Sequence, residues 1–147
     1  MNTSAYTPDD SRIKHLELLQ ATVNRLGTNS FIIKGWAMTV SGGLVAAAMA
    51  GGGWAIALIA LMMAAGFWLL DSYYLEQERL FRSLYERSAS TGTDRIPLFS
   101  MDVARYAQSE PWHLVALSNT MVLFYGTVAV VDIALTVVLM INHTTAP

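Results

Sequence analysis

The residue whose type and position say most about chemistry is Asp132. It is the only charged residue in the apolar run 114–141. A lone ionised carboxylate facing lipid costs on the order of several kcal/mol, so Asp132 must face protein, face water or carry a proton. Ser118, Tyr125 and Asp132 recur at seven-residue spacing with Thr136 one turn further on, which places a polar stripe on one face of a helix.

This polar stripe has two interpretations, and both remain open. It can line a water path, in which case copies of Asp132 in an oligomer form an acidic ring facing the oligomer interior, as in cation channels. It can equally be a row of buried hydrogen bonds that holds helices together.

A set of basic residues is the second candidate site. Its members flank the first two apolar runs, and they are Arg12, Lys14, Arg25, Arg79, Arg82 and Arg87. Guanidinium and ammonium groups bind phosphate through charge-assisted hydrogen bonds, which predicts an anionic ligand such as an oligonucleotide or a cyclic nucleotide. The alternative is that these side chains hold the membrane orientation and contact anionic lipid.

Residues for catalysis or metal binding do not converge in this sequence. There is no cysteine, and the three histidines His15, His113 and His143 are far apart. The metalloprotease, serine hydrolase and P-loop motifs are absent from the chain. We therefore expect no catalytic residues, no metal site and no cofactor, and an enzyme is the third-ranked interpretation after the two given below.

Small residues recur at four-residue steps in the first apolar run. The ladder consists of Gly35, Thr39, Gly43, Ala47 and Gly51. In lipid, small residues at this spacing let helix backbones approach closely. The ladder predicts packing either between subunits or against the protein's own second or third helix. With the first option we expect a closed homo-oligomer, a trimer to pentamer.

The elements that position these residues follow from three apolar runs. Runs 31–50, 54–71 and 114–141 are each long enough to span a membrane, and glycines 51–53 predict a tight turn. The predicted fold class is all-α, an integral membrane protein with three transmembrane helices and no soluble core of its own.

The remaining segments are predicted to lie outside the membrane. Segment 1–30 contains an amphipathic helix that loosens at 27–30, and segment 72–113 is helical, with the second membrane helix extending past Asp71 and a short helix near 101–108. Segment 142–147 is a short external tail.

The orientation follows from the basic residues. All nine Lys and Arg residues precede the first run, lie within its first turn or fall between the second and third runs. The positive-inside rule places that side in the cytoplasm and the C-terminus outside.

Four segments resemble a known family. They are NRLGTNSFIIKGW (24–36), LDSYYLEQERLFRSLYERS (70–88), FSMDVARY (99–106) and SNTMVLFYG (118–126). They are similar to small bacterial three-helix membrane proteins, which in turn resemble the membrane effectors of anti-phage systems, the Hailong type or those of cyclic-oligonucleotide systems. The resemblance implies a location in the bacterial inner membrane and a partner nucleotidyltransferase whose product controls membrane damage or ion flow.

The function predicted from these patterns is an oligomeric membrane effector. It forms an ion-conducting pore that a nucleotide-derived signal controls from the cytoplasm in anti-phage defence. The alternative is a non-conducting membrane anchor or accessory subunit that recruits a partner through its cytoplasmic helices.

Overall fold

The computed structural model describes residues 8–90, 97–107 and 110–145. All regular elements within these ranges are helical, which confirms the all-α class. In chain order they are α1 (Pro8–Ala47), a π-helical segment (Ala48–Gly52), α2 (Gly53–Ala89), a 3-10 turn (Ala104–Tyr106), α3 (Trp112–Ala116) and α4 (Asn119–Thr145).

A glycine turn joins α1 to α2 as predicted. Gly51 and Gly53 have φ angles of 112° and 72°, a region that residues with a Cβ rarely adopt. A Cβ on Gly52 would overlap the Ile56 side chain and lie 2.8 Å from the Ala47 carbonyl oxygen. Two of the three glycines thus provide the dihedral angles and the third provides the space.

Helices α1 and α2 form an antiparallel hairpin. Arg12 near the start of α1 contacts the Ser88 carbonyl near the end of α2, and Ser30 contacts Asp71 closer to the turn. Helix α2 continues past Asp71 to Ala89 without a break, as predicted. We call the end of the hairpin away from the glycines the base.

The predicted loosening of the chain at 27–30 is wrong, because α1 runs continuously through these residues. Thr28 donates its hydroxyl to the Asn24 carbonyl at 2.9 Å, and Ser30 is held by Asp71. One glycine in a helix costs only about 1 kcal/mol, which packing against α2 offsets. The N-terminal helix and the first apolar run are therefore one rod, about 60 Å long.

The third apolar run is not one helix, which corrects the predicted span 114–141. Helix α3 ends at Ala116, and α4 begins only at Asn119. The Trp68 indole donates to the Ala116 carbonyl at 3.1 Å and so stabilises the end of α3. Helix α4 then continues to Thr145, so most of the predicted tail 142–147 is helical.

The predicted short helix near 101–108 is reduced to the single 3-10 turn Ala104–Tyr106. The Asp102 carboxylate caps this turn, accepting from the Ala104 amide at 3.0 Å. Residue 108 and residues 91–96 of the predicted helical segment 72–113 lie outside the described ranges.

Helix α4 lies antiparallel to α2 and parallel to α1. Trp68 meets Ala116, and Leu61, nearer the glycine turn, lines a common cleft with Ala129. On the α1 side, Lys34 lies level with Thr120. The C-terminal end of α4 is consequently at the turn end of the molecule, opposite the base.

Two helical stretches are long and apolar enough to cross a membrane, namely Asp10–Ala89, which contains both arms of the hairpin, and Asn119–Thr145. Only 17% and 11% of their most apolar windows are buried inside the molecule, unlike the core helices of a soluble fold. Side chains such as Phe31 (77% exposed) and Leu123 (74%) form an apolar surface. Such a surface is compatible with a membrane location.

A small hydrophobic core lies at the base, which corrects the expectation of no core outside the apolar runs. Leu19, Leu80, Leu84 and Tyr106 are buried together, and Val103 packs against them. His15 is buried and hydrogen-bonds the Ser100 carbonyl at 3.1 Å. These contacts hold segment 97–107 against the hairpin.

Candidate functional site: a buried ion pair and an open groove

The first part of the site is a buried network between α1 and α2. Asp71 is fully buried, and one of its oxygens (Oδ1) accepts a hydrogen bond from the Ser30 hydroxyl at 2.5 Å. The other (Oδ2) lies 2.5 Å from the Lys34 ammonium, which also donates to Ser30 at 2.8 Å. Oδ2 makes no hydrogen bond within the described residues, so the ion pair itself compensates the two charges inside the protein.

The pairing of Lys34 differs from the sequence-based expectation. From its position in the first turn of the run 31–50, Lys34 is expected to extend to the membrane interface, whereas it pairs with Asp71 at the end of the run 54–71. Lys34 lies 18 residues before Gly52 and Asp71 lies 19 residues after it, so an antiparallel hairpin that turns at the glycines brings these two residues to the same level, with Ser30 one turn away on α1. The hairpin register is thus the signal that predicts this pair.

Tyr125 extends the network from α4. Its ring is 6% exposed and packs with Ala37 and Met121. The phenol is within electrostatic reach of Asp71. Within the described residues, however, its hydroxyl makes no hydrogen bond. Tyr125 therefore faces the interior of the helix bundle.

The second part of the site is a groove between α1 and α4, with a volume of about 640 Å³. Five polar residues line it among apolar ones: Lys34, Ser41, Thr120, Thr127 and Asp132. Ser41 is 4% exposed and Asp132 is 1% exposed. Neither the Ser41 hydroxyl nor the Asp132 Oδ2 has a hydrogen-bond partner in the part of the chain that the structure describes. Buried polar atoms normally have partners, so this groove is chemically incomplete.

The predicted polar stripe is only partly brought together. Tyr125 and Asp132 share the buried face of α4 with Met121 and Val128. Ser118 precedes α4, and Thr136 is half-buried and donates its hydroxyl to the Asp132 backbone carbonyl. Asp132 is thus buried at the wall of the open groove, and its position at the interior of an oligomer stays a prediction.

Thr120 and Thr127 were not predicted as site residues from the sequence. They recur at seven-residue spacing on α4, and Lys34 and Ser41 do so on α1. This repeated spacing puts each pair on one helix face. This spacing could have identified each pair as one polar helix face. Only the packing of α1 beside α4 brings the two pairs together in a groove.

The small-residue ladder faces outward. Gly35, Thr39, Gly43, Ala47 and Gly51 are all exposed, and a Cβ on Gly35 or Gly43 would meet no atom within 4 Å. The inner face of the hairpin is made instead by other small residues, which are Ala37, Ala48, Ala57, Ala60 and Ala64. Packing of the ladder against the protein's own helices is therefore wrong, whereas packing between subunits stays a prediction.

Five of the six candidate anion-binding residues have partners within the chain. Arg12 donates to the carbonyls of Ser88, Ala89 and Ser90 at 3.0–3.2 Å. The other contacts are Lys14 with Glu17, Arg79 with Glu110, Arg82 with Glu78, and Arg87 over the Tyr106 ring. Arg25 is exposed and makes no such contact with the described residues.

The role of Arg12 gives a testable stability prediction. Its guanidinium satisfies carbonyls that the C-terminus of α2 leaves free, so Arg12→Ala is expected to destabilise the base by about 1 kcal/mol. Hydrogen exchange of the amides in 86–89 is the measurement, because local fraying exposes them first. Arg25→Ala is the matched control and should leave exchange unchanged. Equal exchange in the two variants would contradict a capping role for Arg12.

The chemistry available at this site is electrostatic. The network at Asp71 neutralises the Lys34 ammonium. The groove presents a second carboxylate, that of Asp132, with space beside it for a further cation. Within residues 8–90, 97–107 and 110–145, no three His, Asp or Glu side chains are grouped to hold a metal ion. The arrangement can bind or pass a cation.

Comparison of the chain with protein-family models, curated proteins and solved structures found no match.

Proposed function

We propose that the chain spans the membrane three times, through α1, α2 and α4, and assembles into a homo-oligomer that conducts cations. The observation that carries the proposal is the Asp132 carboxylate, which is 1% exposed on an otherwise uncharged apolar helix. Acidic side chains at membrane depth are costly, face the protein interior or water, and attract cations.

The groove between α1 and α4 supports this function through the spacing of its polar groups. Lys34 and Thr120 lie towards the base, Ser41 and Thr127 lie further along, and Asp132 lies towards the turn end. A cation entering from the base would meet a hydroxyl at each stage before it reaches Asp132. A neighbouring copy would close the open side of the groove and separate it from lipid.

The base lies in the cytoplasm in this proposal, because all nine Lys and Arg residues precede the run 31–50, lie within its first turn or fall between the runs 54–71 and 114–141. Control by an oligonucleotide or cyclic nucleotide, made by a partner nucleotidyltransferase in anti-phage defence, follows from the resemblance of the quoted segments. Arg25 is the candidate contact, since its charge has no partner in the described ranges. Copies of Arg25 in an oligomer would present several cations to a polyanion.

Ion flux in liposomes tests the conduction. Protein reconstituted at known orientation is expected to release potassium, and Asp132→Asn should lower the flux by about tenfold because it removes the charge and keeps the shape. Asp102→Asn is the matched control, since Asp102 lies in the base with a 55% exposed side chain. Equal flux for Asp132→Asn and the parent would contradict a conducting role for this carboxylate.

A non-conducting anchor is the second candidate, and one observation favours it. Leu98, Phe99 and Met101 are 50%, 52% and 41% exposed on the segment that packs on the base. Exposed apolar side chains outside the membrane runs are typical of protein interaction surfaces. Parent protein that shows no flux under any orientation or added signal would favour this candidate over the pore.

A further inference from the structure

We propose that the groove between α1 and α4 binds a hydrophobic monocation, whose charge pairs with Asp132. The groove has a volume of about 640 Å³, which is large enough for a small organic molecule. Its wall is mostly apolar, with Met38 and Val45 on α1 and Leu123 and Val131 on α4. Asp132 lies among these side chains with one oxygen unpartnered in the described structure.

The charge of the ligand follows from the burial of Asp132, whose carboxylate has one oxygen without a partner in the described structure. A buried carboxylate without a partner is unfavourable, and an opposite charge beside it removes most of that cost. A neutral molecule filling the groove would displace any remaining water and leave Asp132 less well solvated. An anion would add repulsion at short range.

The apolar character of the ligand follows from the wall. A small inorganic cation is strongly hydrated, and apolar side chains cannot replace its water, so such an ion would pass along the groove with its water and not be held there. A cation with its charge spread beneath hydrocarbon or aromatic groups loses less hydration and gains contact with the wall. The chemical class is therefore an organic cation with one charge and a large apolar surface.

An acyl chain of a lipid fits the groove less well. Its methylene groups would cover Asp132 without compensating the charge. Its anionic head group would meet Lys34, whose ammonium is already paired with Asp71 at 2.5 Å. The complementary charge of the groove is thus at Asp132, and it selects a cation.

The groove is open from the side of the helix bundle. Three of the residues that line it are strongly exposed, namely Met38 at 55%, Leu123 at 74% and Val131 at 53%. In a protomer whose groove no neighbouring copy covers, a hydrophobic cation dissolved in the membrane would reach the groove between α1 and α4 without crossing the base. Binding requires neither assembly nor conduction, so this inference is independent of the pore.

Binding of tetraphenylphosphonium to the purified full-length chain in detergent tests the proposal. We expect saturable binding, and we expect tetraphenylborate, an anion of nearly the same size and shape, to bind at least about tenfold more weakly because it is repelled by Asp132. This comparison uses the unaltered chain and needs no variant to fold.

Two variants with matched controls locate the site. Asp132→Asn removes the charge, and Gly42→Phe fills the groove, since Gly42 lines it and a Cβ there meets no atom within 4 Å. Each is expected to weaken tetraphenylphosphonium binding by about tenfold. Asp102→Asn and Gly66→Phe change exposed positions away from the groove and should leave the affinity unchanged.

Equal binding of the two ions, or parent-like affinity in both groove variants, would overturn the proposal. Displacement of a co-purified anionic lipid by tetraphenylborate would also overturn it and identify lipid as the occupant. Tetraphenylphosphonium binding without ion flux would refute only the pore, whereas flux without this binding would refute only the cation site.

Discussion

Replacing Asp71 with Asn is expected to lower the free energy of unfolding by about 3 kcal/mol, because it leaves the Lys34 ammonium without its counter-charge. The substitution keeps the size of the side chain, so the loss reports charge and not packing. Unfolding in mixed micelles, followed by helicity, is the measurement. Asp102→Asn, at an exposed position, should stay within about 0.5 kcal/mol of the parent.

A double variant separates the ion pair from the fold around it. Lys34→Met with Asp71→Leu removes both charges and replaces them with apolar side chains. Buried ion pairs replaced in this way often lose little stability, so we expect the double variant to be more stable than Asp71→Leu alone. If Asp71→Asn unfolds like the parent, or if Lys34→Met rescues nothing, the pair does not hold the hairpin.

Replacing Gly43 with Ile is expected to break up the oligomer. Gly43 lies at the centre of the outward ladder, and a Cβ there meets no atom of the same chain within 4 Å. A branched side chain would separate two backbones that approach closely through small residues, and at least about tenfold weaker association is expected. Mass measurement of the detergent-purified complex gives the assembly size.

The control for this variant is Gly66→Ile on α2, another exposed helical glycine with free space around its Cβ. It adds the same bulk outside the ladder and should leave the assembly intact. Because neither position contacts the chain's own helices, both variants should keep the fold of the protomer. An assembly of parent size in Gly43→Ile would show that the ladder contacts lipid.

Much of the fold was predictable from the sequence because its causes are local. Runs of apolar residues long enough to span a membrane marked the helices, and consecutive glycines marked the turn between α1 and α2. The extension of α2 beyond Asp71 followed from its helical periodicity. The burial of Asp132 inside the protein also followed from its isolation among apolar neighbours.

Predictions from local sequence patterns are wrong at positions where a contact with another helix decides whether the helix continues. Residues 27–30 look like a break, yet α2 supports them and α1 continues. The apolar residues around Leu117 look like one helix, yet the Trp68 indole holds the Ala116 carbonyl and the chain bends there. In both cases a contact between residues distant in sequence outweighs a propensity of about 1 kcal/mol.

The sequence by itself therefore determined which segments are helical and apolar, and only the tertiary structure decided which polar groups meet. From the sequence, Arg12 was a candidate anion-binding residue. In the hairpin, its guanidinium donates to the carbonyls at the end of α2. In the sequence, Asp71 marked only the end of the apolar run 54–71. The same hairpin pairs it with Lys34. The local sequence sets the helical propensity and the hydropathy of each segment. A buried charge, however, is stable only beside a partner, and helix packing alone brings the two together.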